Sequence, residues 1–374
     1  MFLSANVGVG HLAAANAISA ALMEHDPSVQ TRVVDSYKYL ASVVSRVVSE
    51  GYLQMVKTVP QMYRLIYQRA ERATETGPFR TWAHQITATN LRPLIKREKP
   101  DVVVCTHAFP CGAMAEYKKL YDDAPPVLGV VTDFAVHTFW LHRNIEGYAV
   151  ATEAMRETML ARGIKSDRIH VTGIPVHPRF AGPSEKHGHL REKLGLPVDR
   201  SVVLMMGGGL GMSPVVKMMQ ALEQIDTPVC AVVIAGRNAK LEARVLAAAQ
   251  DVPYPLRVMR FVDNVDEYMH AADVLVTKPG GLTSAEALVA GVPMVLFKPL
   301  PGQEERNVRY LIERQAAVRA KNVDELATML RELLLDPVRR ERMTAAMRAI
   351  AQPYAAAKIA EAIEHLGTSP GGGA

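Results

Sequence analysis

Short apolar runs alternate with stretches of helical periodicity along almost the whole chain, the pattern of successive βαβ units and parallel sheets. In the first half, residues 31–34, 102–106 and 127–131 are predicted strands. In the second half the corresponding runs are 202–206, 229–235, 256–260, 274–277 and 294–297. Helical patterns fit between them at 12–25, 214–225, 239–249, 282–290 and 323–335. Gly, Pro and His cluster in GIPVHPRFAGP, which predicts a domain boundary near 173–183. No self-similarity recurs at roughly 20–50 residues, so the chain is not a repeat array. The pattern favours an α/β chain of two Rossmann-like domains, 1–173 and 174–352, then a helix at 353–366 and a disordered Gly-rich tail at 367–374.

A length of 374 residues agrees with two domains. The net charge of +5 suits phosphates or an anionic membrane surface. It comes without the run of Lys and Arg interleaved with aromatics that would suggest nucleic acid. The three cysteines, Cys105, Cys111 and Cys230, form neither a CxxC pair nor a zinc spacing, which suits a reducing cytosol. No run of about 18 apolar residues is present, so no spanning helix is expected. The first residues also lack the basic and apolar regions of a secretory signal. Only a few residues precede the first Gly-rich turn, so a strand there would be short, or the recorded Met1 an internal start.

Candidate chemistry sits in Gly-bearing turns at the ends of predicted strands. Gly8-Val9-Gly10-His11-Leu12-Ala13 reads GxGxxA, with Asp35 at the end of the next strand. This is nearly the dinucleotide fingerprint, so a nicotinamide dehydrogenase is one reading and a plain tight turn another. His11 falls in a first helical turn, where the positive dipole end disfavours imidazolium, and a neutral imidazole can take a proton from an acceptor hydroxyl. The second half repeats the device at Gly207-Gly208-Gly209, with Ser213 as a possible N-cap, then at Gly236-Arg237, and again at Gly280-Gly281. Open α/β sheets bind ligands at the carboxyl ends of their strands. The amides after Gly281, with Thr283, can hold a diphosphate at a helix N-terminus. Glu286, one turn on, can accept hydrogen bonds from vicinal ribose hydroxyls, or be an ordinary first-turn acid. Gln303, Glu304 and Asn307 open a later helix with side chains suited to sugar hydroxyls or to capping.

The segment 279–293, PGGLTSAEALVAGVP, followed by GQEERN, resembles the donor-site signature of lipid glycosyltransferases of the GT-B fold. The family it resembles is that of the monogalactosyldiacylglycerol synthases and processive diacylglycerol glucosyltransferases, with the peptidoglycan N-acetylglucosaminyltransferase more distant. SANVGVGHLAAANAI, VVTDFAVHTFWLH and TGIPVHPRF resemble the same family, over roughly residues 1–350. One departure is Gly-Val-Gly-His where many relatives carry consecutive glycines. The resemblance implies two Rossmann-like domains facing across a cleft, a first domain binding acceptor and membrane, a second binding a UDP-sugar, and a last helix able to cross back to the first.

By that resemblance, Glu286 would bind the ribose of UDP, and Thr283, Gly280, Gly281 and Gly207–Gly209 the diphosphate. Phe261 and Val262 would lie against uracil, and Gln303 and Glu304, supported by Asn307, would read the sugar. The implied reaction is displacement at the anomeric carbon with inversion. His11 or Asp133 would be the base, and Arg237 with helix N-termini would stabilise the leaving diphosphate without a metal or other cofactor. Asp122-Asp123 reads as a turn rather than a metal motif. His137 and His142 could touch acceptor or diphosphate, or be loop histidines, and Trp140 belongs with the acceptor side. Tyr52, Tyr63 and Tyr67 lie in a basic, aromatic stretch around Pro60 that suits a membrane interface, or a helix packed on its own domain. The implied partners are UDP-glucose or UDP-galactose, diacylglycerol (or a polyprenyl-linked lipid) and an anionic membrane, with a peripheral place on the cytoplasmic face. A non-catalytic UDP-sugar-binding module on the same fold is the remaining alternative.

Overall fold

The computed structural model describes residues 1–5, 9–39, 78–182, 187–207, 214–300 and 302–368. It divides into two compact units. One comprises Met1–His177, Pro301–Gln303 and Tyr354–Ala374, the other Pro178–Leu300 and Glu304–Pro353.

The first unit is built on a six-stranded parallel sheet. Its strands are β1 (Phe2–Ser4), β2 (Val33–Asp35), β3 (Val103–Cys105), β4 (Val127–Val130), β5 (Gly147–Val150) and β6 (Ile169–Val171), in the order β2-β1-β3-β4-β5-β6. The helices between them are α1 (Val9–His25), α2 (Pro78–Glu98), α3 (Ala108–Leu120) and α4 (Glu153–Leu160). Strands β1, β3, β4 and β5 are buried along their whole length, which is why they read as unbroken apolar runs rather than alternating ones. Three residues suffice for β1 because it is paired on both sides, Phe2–Ser4 with Val33–Asp35 and Phe2–Leu3 with Val104–Cys105.

The second unit carries β7 (Ser201–Met206), β8 (Val229–Ile234), β9 (Leu256–Met259), β10 (Val274–Thr277), β11 (Met294–Phe297) and β12 (Val318–Ala320), ordered β12-β11-β10-β7-β8-β9. Its helices are α5 (His187–Lys193), α6 (Val215–Leu222), α7 (Ala239–Ala248), α8 (Val265–Ala271), α9 (Gly281–Ala290), α10 (Gln303–Glu313), α11 (Val323–Leu335) and α12 (Pro337–Ile350). Helix α6 starts from Pro214; Ser213, the expected cap, lies outside the described residues, as do Gly8, Gly208, Gly209, Tyr52, Tyr63 and Tyr67.

In each sheet the strand order reverses once, between β1 and β3 in the first and between β7 and β10 in the second. The connections leave those neighbours on opposite faces of the sheet, so a crevice opens at their carboxyl ends. His11 follows β1, Thr106 and His107 follow β3, Gly207 follows β7, and the Lys278–Gly281 turn follows β10. Sequence and topology thus bring the candidate residues to the two places where an open α/β sheet can hold a ligand.

The last helix, α13 (Ala355–Thr368), belongs to the first unit. Its Ile359 and Ile363 join Phe2, Ile18, Leu22, Val104, Leu128 and Val130 in one buried cluster, so it covers α1 and the strands behind it. The helix runs to Thr368, two positions into the tail expected to be disordered, because Ala356, Ile359, Ala360 and Ile363 repeat at helical spacing. Ile359 is fully buried. Ile359→Ala is expected to lower unfolding stability by about 2–5 kcal/mol, read from denaturant midpoints; an unchanged midpoint would contradict the packing of α13 on α1.

Candidate active site

In the first unit, the third residue of α1 presents the imidazole of His11 to the ends of β3 and β4. Its Nδ1 lies 2.8 Å from the Thr106 carbonyl oxygen and 3.0 Å from Thr132 Oγ1. A carbonyl can only accept, so the proton sits on Nδ1 and Nε2 carries the lone pair. Burial pushes the His11 pKa down to about 4, with the Thr106 hydrogen bond opposing it. His11 is therefore a neutral imidazole at physiological pH, with a fixed tautomer and its basic nitrogen turned away from the anchoring carbonyl. Thr106 and Thr132 are the groups that orient the ring at Nδ1. Asp133, one residue after Thr132, accepts a hydrogen bond from the Gln303 amide. Gln303, the first residue of α10, groups with the first unit.

Other histidines surround this ring. His107 stands with its ring centroid 4.7 Å from that of His11, nearly perpendicular. It caps α3 with Nδ1, which accepts from the Phe109 backbone N–H at 3.1 Å. His137 caps the short turn Thr138–Trp140 in the same way, through the Phe139 N–H at 3.2 Å. The other two expected acceptor contacts are buried. Trp140 is 2% exposed and belongs to the core. His142 has its Nε2 shut off from solvent, 6.2 Å ring-to-ring from buried His84, and burial followed by the Arg80 charge lowers its pKa to about 4. Gly112 makes room for that packing, since a Cβ there would lie 2.3 Å from the His84 ring. Both side chains are spent on the interior, which spacing alone does not reveal.

In the second unit, α9 starts at an N-cap glycine, Gly280, that supplies no side-chain cap, so its first-turn amides stay available to an anion. A Cβ at Gly280 would meet no protein atom within 4 Å, so the turn faces open space. Thr283 is half-buried in that first turn, while Gly281 and Gly207 are buried. Asn307 is fully buried and donates to the Pro279 carbonyl at 3.0 Å, fastening the turn to α10. Glu304 is held by Lys278 Nζ at 2.6 Å and by the Leu300 N–H at 2.7 Å. Its carboxylate is thus engaged by the protein before any sugar arrives. At the end of β8, Gly236 adopts φ +66°, and Arg237 places its guanidinium 4.5 Å from the centre of the exposed Phe261 ring. Val262, next to Phe261, is half-buried.

Glu286 lies on the second turn of α9. Crowding by protein atoms raises its pKa to about 8; Arg179 opposes the shift and Asp266 adds to it. Arg179 and Asp266 are themselves paired at 3.1 Å. Sequence reasoning missed Lys278, Arg179, Thr106, Thr132 and His107. Lys278 and Thr106 each immediately follow an apolar strand run and His107 comes one residue later, where an open α/β sheet can hold a ligand.

A two-sheet α/β chain with crevices at both reversals, an uncapped helix N-terminus followed by a carboxylate in one and an oriented neutral histidine in the other, is the arrangement of a GT-B glycosyltransferase. Solved structures agree on the fold, among them MurG from Acinetobacter baumannii (TM-score 0.64, 16% identity, covering 98% of this chain and 99% of that one) and S. aureus MnaA with UDP (TM-score 0.65, 16% identity, 98% and 95%). Residues 11–176 match the monogalactosyldiacylglycerol (MGDG) synthase family and residues 188–350 the glycosyl transferases group 1. A processive diacylglycerol beta-glucosyltransferase of Bacillus pumilus is 30% identical over 97% of this chain and 94% of its own length. That of Bacillus subtilis is 31% identical over 92% and 88%. The chain belongs to the family of the monogalactosyldiacylglycerol synthases and processive diacylglycerol glucosyltransferases, and is a glycosyltransferase; the dehydrogenase reading of GVGHLA falls.

A carboxyl with a pKa near 8 is mostly protonated at pH 7, and two ribose hydroxyls donate best to the ionised form. Binding of UDP-glucose, followed by calorimetry, is expected to tighten as pH rises from about 6 to 8.5. In Glu286→Gln it should be weaker and nearly flat; parallel slopes for the two proteins would contradict the assignment.

Proposed function

We propose that the protein transfers glucose from UDP-glucose to diacylglycerol with inversion at the anomeric carbon, without a metal ion, at a membrane surface. The observation that carries the reading is the Nδ1 of His11 donating to the Thr106 carbonyl, which leaves Nε2 as a base. The acceptor hydroxyl gives its proton to Nε2 as its oxygen bonds to the anomeric carbon. The bond from that carbon to the diphosphate oxygen breaks, and its electron pair leaves with UDP. The uncapped amides at the start of α9, Thr283 and the Arg237 guanidinium are the groups on hand to stabilise that charge. Engagement of Asp133 by Gln303 favours His11 over Asp133 as the base.

Diacylglycerol as acceptor is supported by the names of relatives that match over nearly their whole length, and the same names favour glucose over galactose. No helix among the described residues is long and apolar enough to cross a membrane. The net charge of +5 and the basic, aromatic stretch around Tyr52, Tyr63 and Tyr67 support a peripheral association with anionic lipid on the cytoplasmic face.

Transfer of label from UDP-glucose and UDP-galactose into diacylglycerol in anionic vesicles, with EDTA present, tests the whole reading. Labelled glucolipid is expected. A galactolipid would change the donor, loss of product with EDTA would refute metal independence, and product only with a polyprenyl-linked lipid would change the acceptor. His11→Ala is expected to lower kcat by about 10²–10⁴-fold, with UDP affinity within a few-fold of wild type; a matching loss of UDP binding would make His11 a donor-site residue instead. Because protonation of His11 is held down near pH 4, the acid limb of kcat at saturating donor should lie near there and not at 6.5.

A further inference from the structure

We propose that His107 is a second residue of the first unit that touches the acceptor: its Nε2–H donates a hydrogen bond to the oxygen of the hydroxyl whose proton His11 takes. The proposal rests on the reading of His11 as the base. The reversal of strand order between β1 and β3 gives the crevice two lips, with His11 following one strand and His107 the other. His107 Nδ1 accepts the Phe109 N–H, so its proton must be on Nε2, whereas His11 Nδ1 donates to a carbonyl, so its Nε2 is bare. The two rings therefore offer opposite functions from neighbouring positions, a donor beside an acceptor.

His84 and His142 have Nε2 atoms buried without a partner, whereas no described residue is hydrogen-bonded to Nε2 of His11 or His107. Burial above all keeps His107 from protonating, so it offers one N–H at Nε2 and no charge that would repel a protonated His11 during turnover.

A hydroxyl has one hydrogen and two lone pairs. With the hydrogen given to His11 and one lone pair occupied by His107, the second lone pair is the one left to attack. Ring centroids 4.7 Å apart make the two rings immediate neighbours at the crevice. His107 thus fixes which way the nucleophile faces and adds no proton to the balance: the hydroxyl proton goes to His11, the electron pair of the broken bond goes to UDP, and His107 keeps its own hydrogen.

The test separates this role from capping. His107→Ser retains a good N-cap for α3 and removes Nε2–H, whereas His107→Ala removes both. The Ser variant is expected to melt at the wild-type temperature, to bind UDP-glucose unchanged, and to lose about 10–100-fold in kcat for transfer to diacylglycerol. Its slow hydrolysis of UDP-glucose without lipid should fall less than transfer does. His107→Gln, which returns an N–H near the Nε2 position, should recover part of the loss. Wild-type kcat in His107→Ser, with only His107→Ala impaired in stability, overturns the inference and leaves a capping histidine. A wild-type enzyme that hydrolyses UDP-glucose but glycosylates no diacylglycerol overturns the proposed acceptor and this inference with it.

Discussion

The hydrogen bond from His11 Nδ1 to the Thr106 carbonyl ties the start of α1 to the end of β3 across the point where the first sheet reverses its order. Several things follow from that one contact. It fixes the tautomer, because the carbonyl has no proton to give. It turns Nε2 to the crevice. It also satisfies the polar side of a crowded ring, which is what allows burial to hold the pKa near 4 without leaving Nδ1 an orphan. The helix N-terminus works in the same direction, since its positive end resists imidazolium. The cluster under α1, from Phe2 and Ile18 to Ile359 and Ile363 of the last helix, keeps the ring and the carbonyl in register.

The second unit solves a different problem with the same scaffold. A diphosphate needs donors and a ribose needs an acceptor. Helix α9 supplies donors from its uncapped first turn and places Glu286 on the next one. Fastening is indirect: Asn307 holds the Pro279 carbonyl, Lys278 holds Glu304, and Glu304 holds the Leu300 amide, so two strand-end loops and the start of α10 are braced together. These side chains, buried or paired with each other, set the shape of the turn that meets the ligand. Arg237 over Phe261 ties the end of β8 to the loop after β9 in a similar way.

Much of this was legible in the sequence. The unbroken apolar runs of the parallel strands, the Gly-bearing turns after them and the place of His11 in a first helical turn all follow from local patterns. Strands β5, β6 and β12 are short and were not singled out: GYAV, IHV and VRA owe their strand state to neighbours in the sheet rather than to their own periodicity. The site was read unevenly for a related reason. Glycines and carboxylates announce themselves by type, but His107, Thr106 and Lys278 matter because of what lies across the crevice, and that depends on strand order. Conversely, Trp140 and His142 carried functional types in a promising segment and proved to be interior. Burial is decided by residues far away in the chain, here by helix α2 with His84 and Arg80 packing against α3 and the loop after β4.

Nitrogen-15 NMR of the histidine side chains in the full-length protein tests the oriented neutral base most directly. The His11 resonance, assigned through His11→Gln, should show a proton on Nδ1, a bare Nε2 and a titration midpoint near 4. A proton on Nε2 would contradict the account, because Nε2 would then have no lone pair for the acceptor; a midpoint at or above 6.5 would contradict the burial that holds the ring neutral.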